Sequence, residues 1–124
     1  MLRHIVLFKW KPETSPEQIQ ETEAGFAGMR DSIKVVRSMH FGPDLDLMEG
    51  TYDYAMVADF DSEGDWRSYR DHPDHIAFFQ RFGHLAAGVF HVVDDLHGRH
   101  VIDAGIETDL VEDQDARILG GRVQ

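Results

Sequence analysis

From its second residue the chain alternates. In LRHIVLFKW, Leu2, His4, Val6, Phe8 and Trp10 fall on one side of an extended backbone and Arg3, Ile5, Leu7 and Lys9 on the other, so residues 2–10 predict a strand apolar on both faces. The period then changes. TSPEQIQETEAGFAGMRDSI opens with a helix start: Ser15 as cap, Pro16 at the first helical position, and Gln18 three residues past the cap. Ile19, Thr22, Phe26, Met29 and Ile33 follow at spacings of three and four and make one apolar stripe. Gly25 and Gly28 weaken this helix by about 1 kcal/mol each relative to alanine, and are expected where it packs closely on a neighbour. Alternation returns in KVVRSMHFGPD, with Val35, Arg37, Met39 and Phe41 opposite Val36, Ser38 and His40, until Gly42 and Pro43 stop it. Beyond the loop DLDLMEG, residues 51–60 predict a third strand with Tyr52, Tyr54, Met56, Ala58 and Phe60 on one side. DSEGDWRSYRDHPDHIAFFQRFGHLAAG reads as a helix capped by Asp61 or Ser62, interrupted at Pro73 and resumed with Ile76, Phe79 and Phe82; VFHVVDDL, from Val89, is a fourth strand.

The order strand, helix, strand, strand, helix, strand predicts an α+β fold, the ferredoxin-like βαββαβ arrangement of one four-stranded antiparallel sheet. Right-handed crossovers place both helices on the same face. Ile5, Leu7, Val36, Ala55, Val57, Phe90 and Val92 then leave apolar side chains on the other face, and a patch of that kind marks an interaction surface. A second copy, related by a two-fold axis, is its simplest occupant, so a homodimer with its two sheets facing is expected. This domain is expected over residues 1–97. Residues 98–124 form an acidic extension in which Ile106, Leu110, Val111, Ile118 and Leu119 suit it to lie as an arm on the domain or on a partner.

At 124 residues the chain has room for one core. No apolar run approaches the roughly 20 residues that span a bilayer. The N-terminal apolar stretch alternates, is interrupted by His4 and lacks a small-residue cleavage site, so a strand is expected there rather than a leader, with the cytoplasm as the default location. The absence of cysteine excludes disulfides, thiolate nucleophiles and cysteine-ligated metals. With 12 Lys+Arg against 23 Asp+Glu and a formal charge of −11, the chain repels nucleic acid and anionic membranes overall. Eight histidines remain as candidate bases or ligands near neutral pH.

The densest chemistry lies in YRDHPDH, residues 69–75. Taking a proton from carbon next to a carbonyl needs a base, a donor for the developing enolate oxygen and a dry cavity. His75 is the candidate base and Tyr69 the candidate donor. His72 is expected to cap the first helical piece, with Pro73 starting the second and Asp74 in its first turn. His4, mid-strand beside Val6 and Phe8, is either a hydrogen-bonded core histidine or a group that polarises substrate or orients His75. His91 and His40, also on strands, carry less weight. His72 and His75 lack the i, i+4 spacing of helical metal ligands and straddle a proline, so neither a metal nor a cofactor is expected. Phe78 and Phe82 belong to the core, while Tyr52, Tyr54, Trp66 and Phe79 are the expected lining of any pocket for a small hydrophobic or aromatic ligand. No phosphate loop, Ser–His–Asp order or paired-carboxylate signature occurs.

The segments RHIVLFKWK, DYAMVADF, YRDHPDH and VFHVVDDL together resemble the stress-responsive dimeric α/β-barrel (Dabb) family over residues 1–97. The most specific parts are the N-terminal histidine followed by alternating valine and phenylalanine, and the Y-x-x-H-P-x-H motif. The resemblance implies a ferredoxin-like monomer whose sheet pairs with that of a second copy. Most members of the family have no assigned reaction; a few resemble cofactor-free polyketide cyclases that close a ring by intramolecular aldol-type condensation. There the tyrosine and second histidine of the motif line the pocket, with the histidine as base, and the N-terminal histidine faces the same pocket. Those positions are Tyr69, His75 and His4. The resemblance leaves open whether this chain is an enzyme. A non-catalytic stress-associated ligand-binding or structural dimer is one alternative. A cofactor-free monooxygenase is another, because the antibiotic-biosynthesis monooxygenases share the architecture.

Overall fold

The structure, a computed structural model, describes residues 1–95 and the backbone of residues 102–107. Five strands, β1 (Leu2–Trp10), β2 (Ser38–Pro43), β3 (Tyr54–Phe60), β4 (Ala86–Asp95) and β5 (Ile102–Glu107), form one antiparallel sheet in the order β2-β3-β1-β4-β5. The first four are the expected ferredoxin-like sheet. β5 comes from the extension and lies on the outer edge of β4, with Asp94 opposite Ile102 and Val89 opposite Glu107. The other expected anchors in the extension, from Leu110 onward, lie outside the described residues.

Helix α1 (Pro16–Ser32) begins as its sequence dictates. The Ser15 hydroxyl accepts from the Gln18 amide at 3.2 Å and the Gln18 side chain accepts from the Ser15 amide at 2.9 Å, which satisfies two of the donors every helix start leaves open. Its stripe of Thr22, Phe26, Met29 and, just past its end, Ile33 is buried. Gly25 sits where a Cβ would lie 2.8 Å from the Phe82 ring and 2.9 Å from the Phe78 ring, so α1 packs on α3 (Pro73–Phe82) through a bare backbone. Gly28 has nothing within 4 Å of its notional Cβ, and close packing is not its role. Two strands start later than the alternation predicts. Val35 and Val36 reach the core from a turn in which the Val36 amide donates to the Ile33 carbonyl, and β2 begins at Ser38. β3 begins at Tyr54 because the Asp53 carboxylate accepts from the Trp10 amide at 2.8 Å and the Thr51 hydroxyl donates to Asp44 at 2.9 Å, which turns these residues out of line.

Both helical layers lie on one face. Beneath them Leu2, His4, Val6 and Phe8 of β1 and Tyr54, Met56, Ala58 and Phe60 of β3 are buried. On the opposite, helix-free face Ile5 lies between Val57 and Val92, and Leu7 between Ala55 and Phe90, all partly exposed. The β2–β3 loop adds Leu45, Leu47 and Met48, which are exposed. Among the described residues no helix is long and apolar enough to cross a membrane.

Candidate functional site

Helix α2 (Glu63–Asp71) is capped by Ser62, whose hydroxyl accepts from the Asp65 amide at 3.1 Å. Trp66 and Tyr69, three residues apart, share the face turned to the sheet. At Pro73, which lacks an N–H, the chain breaks and restarts. His72 ends one helix and caps the next: its amide donates to the Tyr69 carbonyl at 3.1 Å, and its Nδ1 accepts from the Asp74 amide at 3.0 Å. His72 and Asp74 therefore do the structural work expected of them. The break turns His75 inward, to 8% exposure.

His75 closes α2. Its Nδ1 lies 3.0 Å from the Arg70 carbonyl, one of the acceptors that the helix end leaves unpaired. A carbonyl only accepts, so Nδ1 carries the proton and the lone pair of the neutral ring is on Nε2. Burial is the main cause that pushes the His75 pKa down to about 4, against a smaller opposing effect of the Arg70 carbonyl. Tyr69, 1% exposed, packs its ring 4.6 Å from that of His75 and 5.0 Å from Phe60. Burial raises its phenol pKa, which keeps the hydroxyl protonated and available as a donor.

His4 completes the cluster, with its ring 6.4 Å from Tyr69 and 5.8 Å from Trp66. Burial holds its pKa well below the usual histidine value. Both of its nitrogens are engaged: the Trp66 indole N–H donates to Nδ1 at 3.3 Å, and Nε2 lies 3.1 Å from Nδ1 of His91. The two imidazoles stack with centroids 5.3 Å apart. His4 therefore has no spare nitrogen in this arrangement. His91 meets His4 in this cluster, although the alternation alone gave it less weight than His4. The signal that finds it is the β1–β4 register, which sets Val6 opposite His91 and so places His91 one diagonal step from His4 on the helix-covered face.

The expected lining residues divide. Trp66 bonds His4, and Phe79 lies 5.6 Å from His75. Tyr54 is buried but turned to α1, its hydroxyl donating to Glu23 at 2.7 Å, and its ring packs among Phe8, Trp10 and Phe26. Tyr52 precedes β3 and lies over the helix-free face, its ring 6.4 Å from Phe90. The alternation that grouped it with Tyr54 does not reach residue 52, so these two tyrosines are not brought to the His75 cluster. Phe79 also lines an apolar cavity of about 20 Å³ with Phe8, Trp10 and Phe82, room for about one water molecule. A groove of about 530 Å³ lies on the other face, between Leu7, Tyr52 and the Leu45–Met48 loop. Among the described residues no group of three or more His, Asp or Glu is placed to hold a metal ion.

The order of elements defines a ferredoxin-like α+β domain, and beneath its helices lies a buried cluster of histidine, tyrosine and tryptophan side chains. The chain belongs to the family of stress-responsive A/B barrel domains, whose model matches residues 2–94. It is 28% identical over 79 residues to the stress-response A/B barrel domain-containing protein HS1 of Arabidopsis thaliana, covering 62% of this chain and 72% of that protein. A solved dimeric ferredoxin-like protein of unknown function from Thermobifida fusca is 36% identical, with a TM-score of 0.72 over 77% of this chain and 90% of that one. The hydroxynitrile lyase of Passiflora edulis, 19% identical, shares the fold with a TM-score of 0.64 over 87% of this chain and 94% of its own.

Proposed function

We propose that the protein is a homodimer that binds a small hydrophobic or aromatic molecule and carries out cofactor-free acid–base chemistry on it, of the aldol type that closes a polyketide ring. His75 is the base and Tyr69 the donor to the enolate oxygen. The observation that carries this reading is the Nδ1 bond from His75 to the Arg70 carbonyl, which fixes a buried imidazole with its lone pair on Nε2 against the Tyr69 ring. Its low pKa keeps the base unprotonated at neutral pH but also makes it weak, so the carbon acid it serves is an activated one, flanked by two carbonyls. The helix-free apolar face and the dimeric relative from Thermobifida fusca support the two-fold assembly.

One observation favours a second reading, a non-catalytic dimer in which the same side chains hold the helices to the sheet: the cavity beside Phe79 has a volume of only about 20 Å³. Thermal-shift screening of wild type against phenolic and poly-β-carbonyl compounds, followed by turnover assays on each hit, separates the two. The acid–base reading expects turnover that falls by about 10² to 10⁴ in a folded His75→Ala variant. No stabilising compound, or turnover equal in wild type and variant, rejects it in favour of the second.

A further inference from the structure

We infer that residues 117–122, RILGGR, dock in cis in the apolar groove beside the β2–β3 loop, with Ile118 and Leu119 in the groove and Arg117 and Arg122 on its acidic rim.

The groove is large and its walls are apolar. It holds about 530 Å³, against about 20 Å³ for the cavity beside Phe79, and Leu7 and Ala55 of the helix-free face line it together with Leu45, Leu47, Met48 and Tyr52. Leu45, Leu47 and Met48 are 79%, 82% and 70% exposed. Hydrogen bonds hold their loop in this shape: the Asp44 amide donates to the Asp53 carbonyl at 2.9 Å, and the Asp44 carboxylate accepts from the Asp46 amide and the Thr51 hydroxyl, each at 2.9 Å. Three large apolar side chains kept in water within four positions mark a contact surface. Asp44, Asp46 and Glu49 on the same loop are exposed, and no cation among the described residues forms an ion pair with them, whereas Asp53 has Lys9 at 3.5 Å. The occupant that fits is apolar and basic.

The chain carries such a segment within reach. The pairing registers run Pro43, Tyr54, Phe8, Val89 and Glu107 into one row across the sheet, so β5 brings the chain to the end of the sheet where the groove lies. From β5 to β3 is three strand spacings, about 14 Å. Eleven steps along the chain separate Glu107 from Ile118. Extended at about 3.3 Å each they cover about 36 Å, more than the crossing needs. Charge then selects which part of the arm docks. Asp109, Glu112, Asp113 and Asp115 are repelled by the rim, while Arg117 and Arg122, the only cations beyond residue 107, bracket Ile118 and Leu119. A second copy seated loop to loop would set Asp44, Asp46 and Glu49 against their own kind. Ile5, Val57 and Val92, at the centre of the helix-free face, are not part of the groove lining and stay open to a second copy.

The chain has no cysteine, so two introduced thiols report on a single contact. Met48→Cys puts one at the groove, and Ala116→Cys puts the other beside the anchor with Ile118 and Leu119 left in place. On mild oxidation this double variant is expected to close a disulfide within one chain, read as monomer mass on a non-reducing denaturing gel. It is expected to do so at least about tenfold faster than Arg37→Cys with Ala116→Cys, whose first thiol lies at the opposite end of the sheet. Adding Arg117→Glu and Arg122→Glu is expected to remove that advantage. Equal rates in the two cysteine pairs overturn the docking, and a rate unchanged by the charge reversal overturns the part given to the rim. A fast product of twice the monomer mass overturns docking in cis and seats a partner's arm or loop in the groove. The chain without cysteines gives a second reading. Trypsin is expected to cut after Arg117 about tenfold more slowly in wild type than in Leu47→Ser with Met48→Ser, which alters exposed loop residues alone. Equal cutting in the two rejects the docking independently of the disulfide.

Discussion

A histidine buried without a charged partner makes stability depend on pH, and His75 and His4 are two of them. The folded pKa of His75, about 4, lies below the value near 6.5 that the unfolded chain shows. The unfolded state therefore binds the proton first. The stability that neutral His75 confers is complete above about pH 6.5 and is lost as pH falls from there through 4, a difference on the order of 3 kcal/mol. His4 shifts in the same direction, again chiefly through burial. Urea midpoints at pH 7.5 and 4.5 test this: in His75→Gln, which cannot be protonated, the midpoint is expected to drop less between the two pH values than in wild type. An equal drop would mean that His75 is not buried as described. Tyr69→Phe keeps the ring that packs on Phe60 and His75 and loses only the hydroxyl. It is expected to fold, with an altered thermal midpoint of at most about 1 kcal/mol equivalent, and to lose turnover.

On the scale of elements, the two glycines of α1 make opposite forecasts from the same residue type. Gly28→Ala meets nothing and gains helix propensity, so it is expected to stabilise by about 1 kcal/mol. Gly25→Ala drives a methyl into the rings of Phe78 and Phe82, whose contact is with ring edges that cannot fold away, and is expected to destabilise by about 1 to 3 kcal/mol despite that gain. Denaturant midpoints of the two variants, read side by side, check both. The sequence carried the helix boundaries well, because caps are local: Ser15 with Gln18, and His72 with Pro73, sit within a few residues of what they cap. It carried the strand starts less well. Val35, Val36 and Tyr52 continue an alternation on paper, but turn and side-chain bonds to Ile33, Asp44 and Asp53 end the strand before the pattern ends. The site divided along the same line. Tyr69 and His75 stand in one motif and meet in space, whereas His4 and His91 meet across 87 positions of sequence. Only the pairing register says that they share a face, since a slip of one residue would send His91 to the other side.

For the whole molecule, the helix-free face governs behaviour. Ile5 sits at its centre between Val57 and Val92, clear of the buried core beneath the helices. Ile5→Glu is expected to leave the fold intact and to halve the mass seen by light scattering at micromolar concentration, because a dimer closed over this face would have to desolvate a carboxylate at its centre. A variant that keeps the wild-type mass would place the interface elsewhere. The apolar residues of this face were legible as the second half of each alternation. The groove beside Tyr52 was not, since it depends on where the Leu45–Met48 loop folds.

The fifth strand has a consequence for solubility at high concentration. A sheet can grow without limit only if it has two open edges, one to receive a chain and one to pass the offer on. Here β5 covers the outer edge of β4, so the described sheet ends in β2 on one side and β5 on the other. Both are strands of six residues, which makes each a short template for an incoming chain. The longer β4, ten residues, is paired with β1 on one side and β5 on the other and offers no edge at all.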